Sequence, residues 1–201
     1  PLDENEPANL AEAISTMGLN HAVVTVVNRD DLDDSGAMHY RRCLEAVRET
    51  SPEVTLELLC SDLAGDHGDL AMLLDNLELE VFAHNVECVP RLDLKVRDRR
   101  ATFEQSIGIL VEAKRLRPDI LTKSSLMVGL GETDEEVTEA LQMLRDANVD
   151  LVTIGQYLAP SPKHLAVDRF PEPSQYDEWS IQIEEMGFLG WACGPLVRSS
   201  Y

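Results

Sequence analysis

The chain has 201 residues and a formal net charge of −20, from 17 basic and 37 acidic side chains, with 44% hydrophobic residues. That apolar content suits one packed domain or most of a larger one rather than a disordered chain, and the acidic balance argues against nucleic acid and anionic membranes as partners. No run approaches the ~18 apolar residues of a membrane span, no basic-then-apolar leader is visible, and Cys43, Cys60, Cys88 and Cys193 stand too far apart for a local zinc or iron–sulfur motif and suggest a reducing compartment.

Helical periodicity opens the chain at Pro7–Met17. A β-branched run, His21–Asn28, then predicts a buried strand, followed by a helix over Ala37–Glu49 and a strand over Val54–Cys60. A helix over Asp69–Leu77 and a strand over Glu80–Asn85 come next. Helix and strand alternate again through Phe103–Leu116, Ile120–Gly129, Glu135–Ala147, Asp150–Gln156, Pro173–Met186 and a short last strand over Phe188–Cys193. Thr133 and Glu136 have the spacing of a capping box.

Near-continuous apolar strands alternating with helices predict an α/β fold with a parallel sheet, and the spacing fits an α/β barrel or a doubly wound sheet. The chain opens on a helix, so the strand expected before it is missing, and an open, partial parallel barrel is the natural form. One domain over residues 1–201 is expected, with 195–201 as a carboxyl-terminal tail.

In such folds working residues follow the carboxyl ends of strands. Those positions are polar here: Asn28 to Asp31, Ser61 and Asp62, His84 to Glu87, Thr122 to Ser125, Gly129 to Glu132, and Gln156 with Tyr157. An acidic turn explains the first group equally well. Lys123 within an apolar run needs a partner or a depressed pKa, and a structural salt bridge explains it as readily as a functional role. The glycines of Gly129–Glu132 allow close backbone approach to a flat ligand but do not form a dinucleotide fingerprint.

At these residues the chain resembles lipoyl synthase, a radical S-adenosylmethionine enzyme family. The matching segments are Asn28–Leu32 (NRDDL), His84–Arg91 (HNVECVPR), Thr122–Ser124 (TKS), Met127–Thr133 (MVGLGET), Gly155–Leu158 (GQYL), Pro160–Ser161, His164–Leu165 and Gly194–Tyr201 (GPLVRSSY). They occur in order and cover essentially the whole chain. The closing RSSY is the most specific; the HNxE and GLGET runs also resemble biotin synthase.

The resemblance implies a partial barrel of the radical S-adenosylmethionine type, two 4Fe–4S clusters and S-adenosylmethionine as cofactors. The reaction it implies is sulfur insertion at C6 and C8 of a protein-bound octanoyl group. Octanoylated lipoyl-carrier domains or the glycine cleavage H protein would be the substrate, and a ferredoxin or flavodoxin the electron donor. Asn85 and Glu87 would bind the ribose hydroxyls, and Val128, Gly129, Leu130 and Gly131 would line the adenine. Ser200 would ligate the auxiliary cluster, with Ser199 the lesser candidate. Arg29, Asp30, Lys123, Gln156 and Arg198 would line the site. The location implied is cytoplasmic in a bacterium, mitochondrial or plastid in a eukaryote.

The cysteine motifs CxxxCxxC and CxxxxCxxxxxC that the resemblance calls for are not within these residues. They are expected upstream of Pro1, so these 201 residues alone are expected to be inactive. Gln105 stands where an arginine for the methionyl carboxylate is expected, with Arg100 nearby as a substitute; Ser61 replaces a proline and Ser125 a glycine. A biotin-synthase relative, a Schiff-base aldolase using Lys123 and a cluster-free binding module remain as alternatives.

Overall fold

The computed structural model describes residues 2–200. They form two compact units. The first comprises the chain to Ala83 and Glu112–Leu121; the second comprises His84–Val111 and the chain from Thr122.

The first unit holds α1 (Glu6–Met17), β1 (His21–Thr25), α2 (Ala37–Thr50), β2 (Thr55–Leu59), α3 (His67–Leu74) and β3 (Val81–Ala83). Its strands are parallel in the order β1–β2–β3, with His21 opposite Thr55 and Glu57 opposite Val81. No strand flanks β1 on its other side among the described residues, in keeping with the open edge expected there. Pro7 stands in the first turn of α1, and Gly18 ends the helix in the left-handed region at φ 61°. The Asp66 side chain accepts from the amides of Gly68 and Asp69 and caps α3, moving its start two residues ahead of the expected Asp69. Leu44, Val47, Leu56 and Leu58 are fully buried. Each such side chain stabilises by about 1.5–3 kcal/mol relative to exposure.

The second unit holds α4 (Asp93–Val96), the first part of α5 (Phe103–Leu116), β4 (Leu121–Val128) from Thr122 on, α6 (Asp134–Asp146), β5 (Leu151–Gln156), α7 (Pro173–Met186) and β6 (Gly190–Gly194). Strands β4, β5 and β6 are parallel, with Lys123 opposite Leu151 and Val152 opposite Trp191. Thr133 accepts from the Glu136 amide while Glu136 reaches back to the Thr133 amide, so the expected capping box forms. Buried Trp179 meets Tyr176 edge-on at 5.2 Å and anchors α7. Among the described residues no helix is long and apolar enough to cross a membrane.

Candidate functional site

The strand expected over Glu80–Asn85 ends at Ala83. Beyond it the backbone follows β4: the His84 amide donates to the Lys123 carbonyl at 3.0 Å and the Glu87 amide to the Ser125 carbonyl at 3.1 Å. Between them the Val86 amide donates to the Ser124 hydroxyl at 3.2 Å, so a side chain replaces one backbone partner. This irregularity leaves Glu87 at φ 67°, a left-handed conformation uncommon for a residue with a side chain. The Asn85 Nδ2 donates to Glu87 Oε1 at 3.1 Å, so the two sequence-predicted ribose residues touch. Burial pushes the Glu87 carboxyl above its ordinary range, against the pull of Asn85 and Arg97.

Arg97 was not expected from the sequence. Its guanidinium, 8% exposed, donates to the Val86 carbonyl at 3.3 Å and to the Ser106 hydroxyl at 2.9 Å. The same hydroxyl meets His84 Nε2 at 2.9 Å. Arg97 thus holds the loop that carries Asn85 and Glu87; its setting in a charged run disguised it as surface. Arg100, the proposed substitute for the missing arginine, lies exposed with its Nε 2.9 Å from Asp98.

The turn after β4 is built around Glu132, 5% exposed. Its Oε1 accepts from the Gly129 amide at 2.7 Å and its Oε2 from the Leu130 amide at 2.8 Å. Arg169 approaches Glu132 at 3.3 Å and Asp134 at 2.6 Å, which balances the buried charge. Gln156 Nε2 donates to the carbonyls of Val128, Tyr157 and Arg169 at 3.2, 3.0 and 3.2 Å. Gly129 sits at φ 97°, and a Cβ there would fall 2.2 Å from Gln156 Nε2. The Gly129 carbonyl accepts from the Asp168 amide, and the Gly131 carbonyl from Arg91. Much of the turn's backbone polarity is therefore already used, leaving a rigid surface whose contribution to a flat ligand is shape. Sequence reasoning gave Gln156 a site-lining role and none to Glu132; here both brace the turn.

The tail turns back after β6, the Val197 amide donating to the Gly194 carbonyl at 3.1 Å. The Val197 carbonyl lies 2.3 Å from where a Cβ on Gly155 would stand, so only glycine permits this approach to β5. Arg198 lines a cavity with Met127 and Tyr157. Ser200 is exposed and Ser199 half-buried; Tyr201, the last residue of the RSSY run, lies outside the described residues. Lys123 is 4% exposed on β4 and has an interaction partner, which accounts for its place in an apolar run.

Arg29 and Asp30 belong to the first unit. Arg29 holds Asp31 through two contacts of 2.7 Å and lowers that carboxyl to about 2. Arg29 also lines a cavity of about 570 Å³ with Glu6, His39 and Tyr40. His39 Nε2 is 2.7 Å from Glu6, while its buried Nδ1 has no hydrogen-bond partner among the described residues.

The four cysteines are free thiols, and no cluster of three His, Cys, Asp or Glu side chains among the described residues is disposed to hold a metal. Burial pushes Cys43 up to about 11 and Cys60 and Cys88 up to about 12. These thiols do not fit an iron–sulfur cluster.

A family model described as the radical SAM superfamily matches residues 1–155. The likeness to lipoyl synthases carried by the motifs is borne out along the chain. It is 49% identical over 200 residues to the mitochondrial lipoyl synthase of Aspergillus niger, a match covering 100% of this chain and 48% of that protein. The chain spans about half the length of the curated relatives it matches. Among solved structures, methylornithine synthase (PylB) aligns with a TM-score of 0.68 at 11% identity over 95% of this chain and 62% of its own. The HMG-CoA lyase of Bacillus subtilis aligns with a TM-score of 0.56 at 13% identity over 95% and 70%. These likenesses bear out the α/β fold class expected from the sequence and carry no chemistry with them.

Proposed function

The chain belongs to the radical SAM superfamily, and on that premise we propose that it is part of a lipoyl synthase, which inserts sulfur at C6 and C8 of an octanoyl group carried on a lysine of a carrier protein. The observation that supports this reading is the 49% identity held over the length of the chain. S-adenosylmethionine, when bound, supplies the radical that an unactivated C–H bond requires.

The chain's own residues then position and shield. The Asn85 and Glu87 side chains, in contact at the end of a loop held by Arg97, offer acceptors to a ribose diol. The turn from Val128 to Gly131, stiffened by Glu132 and Gln156, gives a flat face for the adenine. Lys123 and Arg198 complete the lining, with Arg29 and Asp30 as further candidates. Ser200 is the proposed serine ligand of the auxiliary cluster; the cysteine ligands of both 4Fe–4S clusters are assigned to residues outside this chain. The substrate is an octanoylated lipoyl-carrier domain or the glycine cleavage H protein, with a ferredoxin or flavodoxin as reductant. The names of the matched relatives support a mitochondrial location.

The test uses the whole protein, reconstituted with iron and sulfide and given an octanoylated carrier. Mass spectrometry of the carrier should show two sulfur atoms gained. Cleavage of S-adenosylmethionine with an unchanged octanoyl group would sink the reading. Ser200→Ala should retain that cleavage and lose sulfur insertion, and insertion at the parent rate would refute the ligand role.

A further inference from the structure

In this chain 37 acidic side chains surround 17 basic ones, and most guanidinium groups find a carboxylate. Arg29, Arg41, Arg48, Arg91, Arg115 and Arg117 each hold one within 2.9 Å. Lys95, Lys163 and Arg198 are different. All three are exposed, and none has a side-chain partner among the described residues. All three line one cavity of about 690 Å³ in the second unit, together with His164, whose Nδ1 lies 2.9 Å from the Ser161 hydroxyl. Met127, Leu158, Pro160 and Leu165 supply its apolar wall.

Most of the chain's guanidinium groups are neutralised by carboxylates, and these three cations gathered at one cavity are not. An isolated cation on an acidic surface gains by pairing with a neighbouring carboxylate. Three that do not, around one concavity, form a local anion-attracting field on a surface that otherwise repels anions. Phosphate sites typically present backbone amides, but the Lys163 amide is bonded to the Ser161 hydroxyl and the His164 amide to the Ser161 carbonyl. What remains is long, separate side chains over an apolar wall. That arrangement fits several carboxylates spaced along a peptide better than one compact phosphate.

We propose that this cavity binds an acidic peptide segment, the residues flanking the acylated lysine of the carrier protein. Naming the carrier rests on the sulfur-insertion reading above; acidic-peptide recognition itself does not. Arg198 is two residues from Ser200, so a segment seated here lies beside the tail to which the cluster-ligand role is assigned. Lys95 and Lys163 act as specificity residues and take no part in the chemistry.

The test uses the cofactor-loaded whole protein and fluorescein-labelled peptides carrying one lysine, with or without an octanoyl group, flanked by Asp and Glu, by Asn and Gln, or by Lys. Anisotropy should show the acidic peptide binding about tenfold more tightly than the neutral one, as expected for three exposed pairs, with the preference shrinking as salt is raised. Lys95→Glu with Lys163→Glu should abolish that preference and improve binding of the lysine-flanked peptide, which a misfolded protein would not do. Acidic and neutral peptides binding within twofold of each other would overturn the proposal, as would a double variant that weakens every peptide alike. Conversion is scored separately: failure of the unaltered protein to thiolate any octanoyl peptide counts against the function, while the flank preference stands or falls by anisotropy on the unacylated peptides.

Discussion

In the first unit Arg48 donates to the carbonyls of Pro52 and Val54 at 2.8 and 2.9 Å and to Glu80 at 2.9 Å, fixing the start of β2. In the second unit Glu132 performs an analogous task with the opposite charge, but it binds two amides of a left-handed, glycine-bearing turn at a strand's carboxyl end. One brace secures a scaffold; the other shapes a surface. Two glycines show a similar contrast. Gly18 closes a helix in open space, whereas Gly129 is pressed between Gln156 and the Arg169 carbonyl, and Glu87 holds a left-handed conformation without being glycine. Left-handed residues occur in the first unit too, at Ser35, Leu63, Ala64 and Asn76; Glu87 and Gly129 are notable for the polar side chains they sit against, Asn85 and Gln156.

The largest expected effect tests that contrast directly. Gly129→Ala combines positive φ with a Cβ 2.2 Å from Gln156 Nε2 and 2.5 Å from the Arg169 carbonyl, and should cost about 3 kcal/mol or more. Gly18→Ala, with nothing within 4 Å of the new Cβ, should cost only about 1–2 kcal/mol. Urea unfolding of the two variants measures the difference, and equal midpoints would erase the distinction between the two glycines. Glu132→Gln comes next. A carboxamide keeps one acceptor and turns a donor toward the second amide, at about 2 kcal/mol, again read from the urea midpoint; a loss under 0.5 kcal/mol, roughly the surface-mutation range, would show that the turn stands without its brace.

Glu87→Ala should leave stability nearly unchanged and weaken S-adenosylmethionine binding to the cofactor-loaded whole protein by about 0.5–1.5 kcal/mol, measured by calorimetry. Unaltered affinity would remove Glu87 from the ribose assignment. The smallest effect concerns Glu136, whose carboxyl is held down to about 2 by Arg91 and the Thr133 amide. A carboxyl depressed in the folded state contributes stability that is present above its ordinary value of 4.5 and lost as pH falls through about 2. Solvent screening limits it to about 0.5–1 kcal/mol. Glu136→Gln should flatten that part of the acid limb of stability against pH, and an identical acid limb would show the pair to be inert.

The six strands were legible because β-branched runs announce buried parallel strands, and the capping box at Thr133 because its spacing is local. Boundaries failed where tertiary contacts decide them. His84 to Glu87 looks like the continuation of β3, yet the Ser124 hydroxyl takes the place of a backbone partner and turns the chain. Asn85 and Glu87 were visible as a motif, but their mutual contact was not. Glu132 was hidden inside a glycine run whose glycines drew attention to ligand approach. Lys95, Lys163 and Arg198 are 68 and 35 residues apart in sequence, so nothing short of the fold brings them around one cavity.

The elevated thiols carry a consequence for handling and for chemistry alike. With Cys43 at about 11, Cys60 and Cys88 at about 12, and Cys193 also raised, almost no thiolate exists on this chain near neutral pH. Ferrous iron and sulfide added during reconstitution therefore meet few nucleophilic sulfurs here, and alkylating reagents should leave the native chain largely unmarked until it unfolds. A protein proposed to traffic in sulfur is, over this length, chemically quiet toward it.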